Sequence, residues 1–159
     1  MAAPSTTVRS TPTGIKLDEG FSTKIAFSRL AAASFWEKTV QPPGVDGGEP
    51  VDITTMHNLV WRTRNPRVLK DLAPHTVKAA YDPNFYNQIV NTLVNAKGCV
   101  TVRFPDGSTL DYYGYLQKFE PDQIEEGKQP EATLTIVPTN WDYVNNVEAA
   151  PVLTSVSGT

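Results

Sequence analysis

The stretch TVRFPDGSTLDYYGYLQKFEPDQIEEGKQPEATLTIVPTN, Thr101–Asn140, decides the fold class. Cys99 to Phe104 reads as a strand, Pro105-Asp106-Gly107 as a tight turn, and Ser108 to Phe119 as the long partner strand, because Asp-Gly is the turn chemistry of a hairpin. Period-two alternation places Leu110, Tyr112, Gly114, Leu116 and Lys118 on one side. Asp111, Tyr113, Tyr115, Gln117 and Phe119 fall on the other. A glycine inside a strand marks a bulge or a close backbone approach, which singles out Gly114. Glu120 to Pro130 is an acidic connection bounded by glycine and proline. Ala132 to Val137 supplies a further strand with Leu134 and Ile136 on one face, stopped by Pro138. Residues 139–159 show no sustained pattern and read as an irregular tail.

Upstream lies the one convincing helix, predicted over Pro83 to about Lys97. Asp82 suits the N-cap, Pro83 the first turn, and Gly98 the left-handed position after the last turn. Phe85, Ile89 and Leu93 recur at four-residue steps, flanked by Tyr86, Val90 and Val94, so the helix should lay an apolar stripe on a sheet. Its opposite side is polar and uncharged, through Asn84, Asn87, Gln88, Asn91 and Asn95. Extended pieces are predicted around Val68 to Leu72 and Thr76 to Tyr81, split by Pro74. Ser34 to Gln41 and Thr54 to Arg64 read as two strands of one long hairpin. The run between them, residues 42–53 with Pro42, Pro43, Gly44, Val45, Asp46, Gly47, Gly48, Glu49 and Pro50, is predicted to be a long loop, because prolines lack donors and glycines are entropically costly to order. Thr23 to Ser28 reads as a half-buried strand, and residues 1–20 as an extended arm rich in Ser, Thr and Pro. With no βαβ alternation, the sum is mainly β with one helix: an antiparallel sandwich or barrel flanked by that helix, a single domain over residues 21–138.

Composition narrows the function. A net charge of −3 and a pI near 5.3 provide no basic face for gripping nucleic acid. Cys99 is the only cysteine, which excludes an intrachain disulfide and a cysteine-based zinc site. No stretch approaches the roughly 18 apolar residues of a membrane span, and the N-terminus has no apolar signal region, so the expectation is a soluble, unprocessed chain with no membrane binding. His57 and His75 share no metal-ligand spacing, no serine sits in a nucleophile elbow, and the carboxylates Asp106, Asp111, Glu120, Asp122, Glu125 and Glu126 do not follow a calcium loop. Nothing calls for a cofactor or a metal, and no catalytic set converges. The expectation is a structural protein and not an enzyme.

Thr101–Asn140, with its PDG turn, aromatic strand, EEG-x-QP connection and TxTIVPTN strand, resembles the major tail tube proteins of long-tailed, non-contractile bacteriophages. Trp36-Glu37-Lys38-Thr39-Val40-Gln41-Pro42-Pro43-Gly44-Val45-Asp46-Gly47-Gly48 and Thr54-Thr55-Met56-His57-Asn58 are similar to the same family, and the likeness covers roughly Ile25 to Pro151. It implies a virion tail protein assembled in the host cytoplasm, with six copies closing into a ring around one continuous inner β-barrel. Rings would stack into a tube that admits a tape measure protein, meets other tail proteins and lets DNA pass without holding it. The loop from Pro42 and the N-terminal arm would reach the adjacent ring. Glu37, Asp111 and Gln117 are candidates for the lumen wall. Arg62, Arg64 and Arg67 are candidates to pair with Asp122, Glu125 and Glu126 of a neighbour. The alternatives are the inner tube subunit of a contractile injection machine, which shares the ring logic, and a monomeric β-sandwich that binds a host or glycan through Trp36, Trp61 or Trp141.

Overall fold

Alternation along three consecutive strands, broken once, builds the body of this protein, seen in a computed structural model that describes residues 23–30 and 35–155, the side chain of Phe85 excepted. The elements are β1 (Lys24–Phe27), a 3₁₀ turn (Ser28–Leu30), β2 (Glu37–Val40), β3 (Val45–Asp46), β4 (Val51–Asp52), β5 (Arg64–Asn65), β6 (Asp71–Leu72), β7 (His75–Ala80), α1 (Pro83–Gln88) running into a π-helical turn (Ile89–Leu93), β8 (Gly98–Arg103), β9 (Thr109–Pro121), β10 (Glu131–Pro138), β11 (Trp141–Asp142), β12 (Val147–Glu148) and β13 (Val152–Thr154). The expected N-terminal arm, residues 1–20, lies outside the described residues.

One antiparallel sheet has the order β1-β8-β9-β10-β7-β2, with β13 also paired to β9. It rolls until its two outer strands meet. The Ile25 N–H of β1 donates to Glu37 Oε1 of β2 at 2.9 Å, and the Phe27 and Phe35 rings meet edge-on at 5.9 Å. Inside the roll Ile25, Phe27, Val77, Val100, Val102, Tyr112, Leu116, Leu134 and Ile136 are buried, and Ile89 and Leu93 of the helical segment close the core. The expected architecture, mainly β with one helix on an antiparallel barrel-like sheet, is the one observed.

Four local expectations need correction. The helix ends at Leu93 and not near Lys97. Val94 forms a bridge with Leu116 of β9, Asn95 takes a left-handed φ of 58°, and its N–H donates to the Leu116 carbonyl at 2.9 Å. Asparagine tolerates that conformation better than most residues, so the turn comes early and Gly98 opens β8 instead of capping the helix. The Asp82 cap is present, through Asn84 N–H to Asp82 Oδ1 at 2.9 Å. The apolar stripe is narrower than expected, since Val90 and Tyr86 stay largely exposed.

The second correction concerns β9. Thr135 pairs with Lys118 but Ile136 pairs with Leu116, leaving Gln117 as the extra residue of a bulge. The bulge reverses the alternation. Phe119 therefore packs toward the core and Lys118 is exposed, the opposite of the sequence reading.

The third correction is that no strand forms between Thr54 and Thr63, and the return side of the hairpin is β5, β6 and β7. The fourth lies in the tail. β11 and β12 form a small hairpin around Asp142, whose Oδ1 accepts the Val144 and Asn145 N–H groups. β13 then pairs with Thr109–Asp111 of β9, so the described part of the tail is ordered through strand pairing that no hydrophobic periodicity announces.

Gly114 is where the far edge of β9 changes neighbours. β10 pairs with it up to Gly114, and the segment beyond belongs to β13. A Cβ at Gly114 would stand 2.8 Å from the Val137 carbonyl oxygen and 3.2 Å from Pro138 Cα, both backbone atoms. At Gly98 it would meet the side chains of Ser28 and Arg29, which can turn away. Gly114→Ala is expected to destabilise the fold by about 1–3 kcal/mol, as overpacking does, and Gly98→Ala by less. Urea unfolding of both variants measures the difference.

Inside the roll, buried His75 Nε2 bonds with the Tyr112 hydroxyl, while Nδ1 has no hydrogen-bond partner. Burial lowers the pKa of His75 from 6.5, partly opposed by the nearby Gln41 backbone, and raises that of Tyr112. A histidine with a depressed folded pKa binds fewer protons folded than unfolded. Its contribution is complete above pH 6.5 and is lost as pH falls below that value toward the folded pKa. The urea midpoint is expected to decline over that window, with a shallower decline in His75→Gln.

Candidate assembly surfaces

β2 and β7 do not end at the barrel. Val40 pairs with Val77, Val45 with Leu72 and Asp46 with Asp71 in the same register, and after a one-residue shift Val51 pairs with Asn65 and Asp52 with Arg64. The chain from Glu37 to Ala80 is thus one long hairpin whose inner half is woven into the barrel and whose outer half stands free. Every residue from 44 to 71 is exposed. The predicted loop of residues 42–53 is one side of this arm and contains β3 and β4. It becomes extended because the returning chain supplies hydrogen bonds, such as Ala73 N–H to the Gly44 carbonyl at 2.8 Å. Gly48, at φ 76°, makes the tight turn after Asp46, and the Arg67 guanidinium donates to the Glu49 carbonyl at 2.9 Å across the arm.

The tip is polar inside and apolar outside. Asp52 Oδ1 accepts the Thr54 N–H at 2.9 Å and the Thr54 hydroxyl. Asn58 Oδ1 accepts the Thr55 N–H at 2.9 Å, and Asn58 Nδ2 donates to the Trp61 carbonyl and to Thr63 Oγ1. The two bonds from Thr54 hold the Asp52 carboxyl below its usual pKa, with Arg64 adding to the effect. Outward point Met56, Leu59, Val60 and Trp61, with Val68 and Leu69 nearer the barrel, all at least 79% exposed. Concentrated exposure of this kind marks an interaction surface. The strand expected over Thr54–Arg64 is absent before Arg64; Asp52, Thr54 and Asn58 instead satisfy the backbone as turns.

The arm leaves the barrel at the His75 end of β7. The acidic connection lies at the other end, where Glu131 pairs with Ala80 and the Tyr81 N–H donates to the Pro130 carbonyl. Arg62, Arg64 and Arg67 are therefore on the arm at one end of the barrel, and Asp122, Glu125 and Glu126 at the opposite end. Within the chain Asp122 lies 3.9 Å from Lys78, and Glu125 pairs with Lys128. Glu126 is exposed.

Of the residues singled out for a lumen wall, Glu37 is half-buried and holds the Ile25 N–H at the seam of the roll. Asp111, on the outer face of β9, accepts from the Thr101 hydroxyl. Gln117 is the exposed bulge residue. The three tryptophans do not form one platform. Trp36 lies at the acidic end, where its carbonyl accepts the Ala80 N–H, while Trp61 is on the arm tip and Trp141 beyond the end of β10.

Among the described residues no group of three or more His, Cys, Asp or Glu side chains comes together as a metal site. No described helix is long and apolar enough to cross a membrane. A cleft lined by Phe35, Ala79, Ile89, Phe119 and Leu134 encloses about 10 Å³, which accommodates a water and not a substrate. Cys99 is partly buried beside Asp111, and its thiol pKa is raised, the opposite of an activated nucleophile.

No family model and no curated protein matches the chain. Solved structures do. A chain of the six-fold symmetrised baseplate of the anti-feeding prophage (AFP) is similar at TM-score 0.56 and 7% identity, over 83% of this chain and 90% of that one. A chain from the tail of an empty GTA particle, of C6 symmetry, is similar at TM-score 0.60 and 11% identity, over 87% of this chain and 99% of that one. At these identities the likeness is one of fold.

The tip network generates a local prediction. Asn58→Ala is expected to speed hydrogen exchange and proteolysis between residues 53 and 63 while leaving global urea stability within about 0.5 kcal/mol, as for surface changes outside the core.

Proposed function

We propose that the chain is a structural subunit of a phage-type tail, the major subunit of a tail tube in which six copies close into a ring and rings stack into a conduit for DNA. The observation that carries this reading is axial: an apolar-tipped arm that carries the basic run Arg62, Arg64 and Arg67 leaves one end of the barrel, and an acidic connection closes the other. A subunit with complementary ends associates head to tail, and such heterologous contacts extend into filaments. The shared fold with chains of C6 and six-fold particles supports a ring as the repeating unit.

In this arrangement the arm, with residues 42–53 as one of its two sides, reaches the adjacent ring. Arg62, Arg64 and Arg67 face Asp122, Glu125 and Glu126 of the next subunit along the axis. The outer face of β9 carries Asp111 and Gln117 to the bore, and Glu37 stays with the seam. A net charge of −3 per chain, repeated around the ring, keeps the wall from holding phosphates. The tape measure and other tail proteins are the remaining partners, the virion tail the final location, and the host cytoplasm the place of assembly. The likeness to the AFP baseplate chain favours one second reading, an inner tube subunit of a contractile injection machine; a sheath gene beside this one would single it out.

Electron microscopy of concentrated protein is expected to show rings and hollow tubes, and a persistent monomer would overturn the assignment. Reversing the arm charges (Arg62→Glu, Arg64→Glu, Arg67→Glu) is expected to shorten or abolish tubes without unfolding the chain. Adding Glu125→Arg and Glu126→Arg is expected to restore them in part.

A further inference from the structure

Strand β13 is held by backbone pairing and little else. Val152, Leu153 and Thr154 pair with Asp111, Leu110 and Thr109 of β9, and all three are exposed, Val152 at 58% and Leu153 at 62%. The strand thus brings two β-favouring apolar side chains to an edge where both stay exposed among the described residues. The segment before it is Ala149-Ala150-Pro151. Ala149 is anchored by its N–H to the Asn140 carbonyl at 3.0 Å, so the β11–β12 hairpin can stay in place while everything after Ala149 swings. The seat itself belongs to the fold: β10 leaves the edge of β9 at Gly114, and the backbone from Thr109 to Asp111 needs an antiparallel strand.

We propose that β13 is an exchangeable strand, which closes on its own β9 in the free chain and on the β9 of a second copy in the assembly. The occupant is fixed by chemistry already present. A second copy's Val152–Thr154 fits the same seat with the same register, so exchange conserves every ladder bond. Exchange of an identical terminal element is a low-cost route to association. Each chain would then give one strand and receive one, which in a closed ring ties every subunit to the next. This inference rests on the assembly reading above.

The test uses full-length chains in a Cys99→Ser background. One population carries Thr109→Cys and a second carries Thr154→Cys; neither position contributes to the buried core. The two are mixed before assembly and treated with a short bismaleimide, and covalent dimer in excess of what either population forms alone reports β13 of one chain on β9 of another. Dimer is expected in the assembled fraction, several-fold above a control in which Val144→Cys replaces Thr154→Cys, and not in dilute protein. Dimer no greater than the control in assembled material, with the Thr109→Cys/Thr154→Cys double variant linked within single chains, would overturn exchange while leaving the tube intact. Absence of rings and tubes by microscopy would overturn the assembly reading and exchange with it.

Discussion

β9 is the strand on which the other elements depend, because one edge of it must serve two neighbours in succession. β8 runs along the near edge from Gly98 to Arg103, while the far edge passes from β10 to β13 at Gly114. The handover works only if two backbones approach more closely than a side chain allows, which is why glycine stands there. Three residues later the Gln117 bulge turns Phe119 back toward the core, so a strand long enough to cross the whole body keeps its apolar residues inside at both ends. The roll, the seat for β13 and the bridge that ends the helix at Val94 all follow from how β9 is shared.

The second constraint is the disparity between body and arm. In the body, alternation is nearly complete along β8, β9 and β10, and their inward apolar side chains are covered. In the arm, Met56, Leu59, Val60 and Trp61 are fully or nearly fully exposed although they are as apolar as the core. Their backbone is held by Asp52, Thr54 and Asn58. The arm is therefore ordered within the chain, which in the proposed assembly would reduce the entropy lost on docking.

The sequence made the body legible because its signals are local. Pro105-Asp106-Gly107 fixes a hairpin, and the alternation from Leu110 to Leu116 and from Ala132 to Val137 fixes which faces are buried. Asp82-Pro83 fixes where the helix starts. What it did not disclose depends on partners distant in sequence. Nothing near Gln117 announces a bulge, since the bulge exists only relative to β10. Asn95 stops the helix because Leu116 offers its carbonyl. Val152–Thr154 has no pattern of its own and becomes a strand because β9 has a vacant edge. Residues 42–53 hold two short strands, Val45–Asp46 and Val51–Asp52, because the returning chain lies alongside, and the apolar run before Arg64 forms none because its backbone is taken up by turns. For the candidate surfaces, composition brought out the basic and acidic runs, but only the topology puts them at opposite ends of the barrel.

The continuity of the arm with β2 and β7 has a mechanical consequence. A force applied at the tip along the arm axis cannot peel the hairpin off one bond at a time. It pulls β7 lengthwise past β10, loading together the paired residues from His75–Ile136 to Ala80–Glu131. The arm is thus a tie rod set into the wall of the barrel. Tension at its far end becomes shear shared across the sheet, the loading direction in which a β ladder is stiffest.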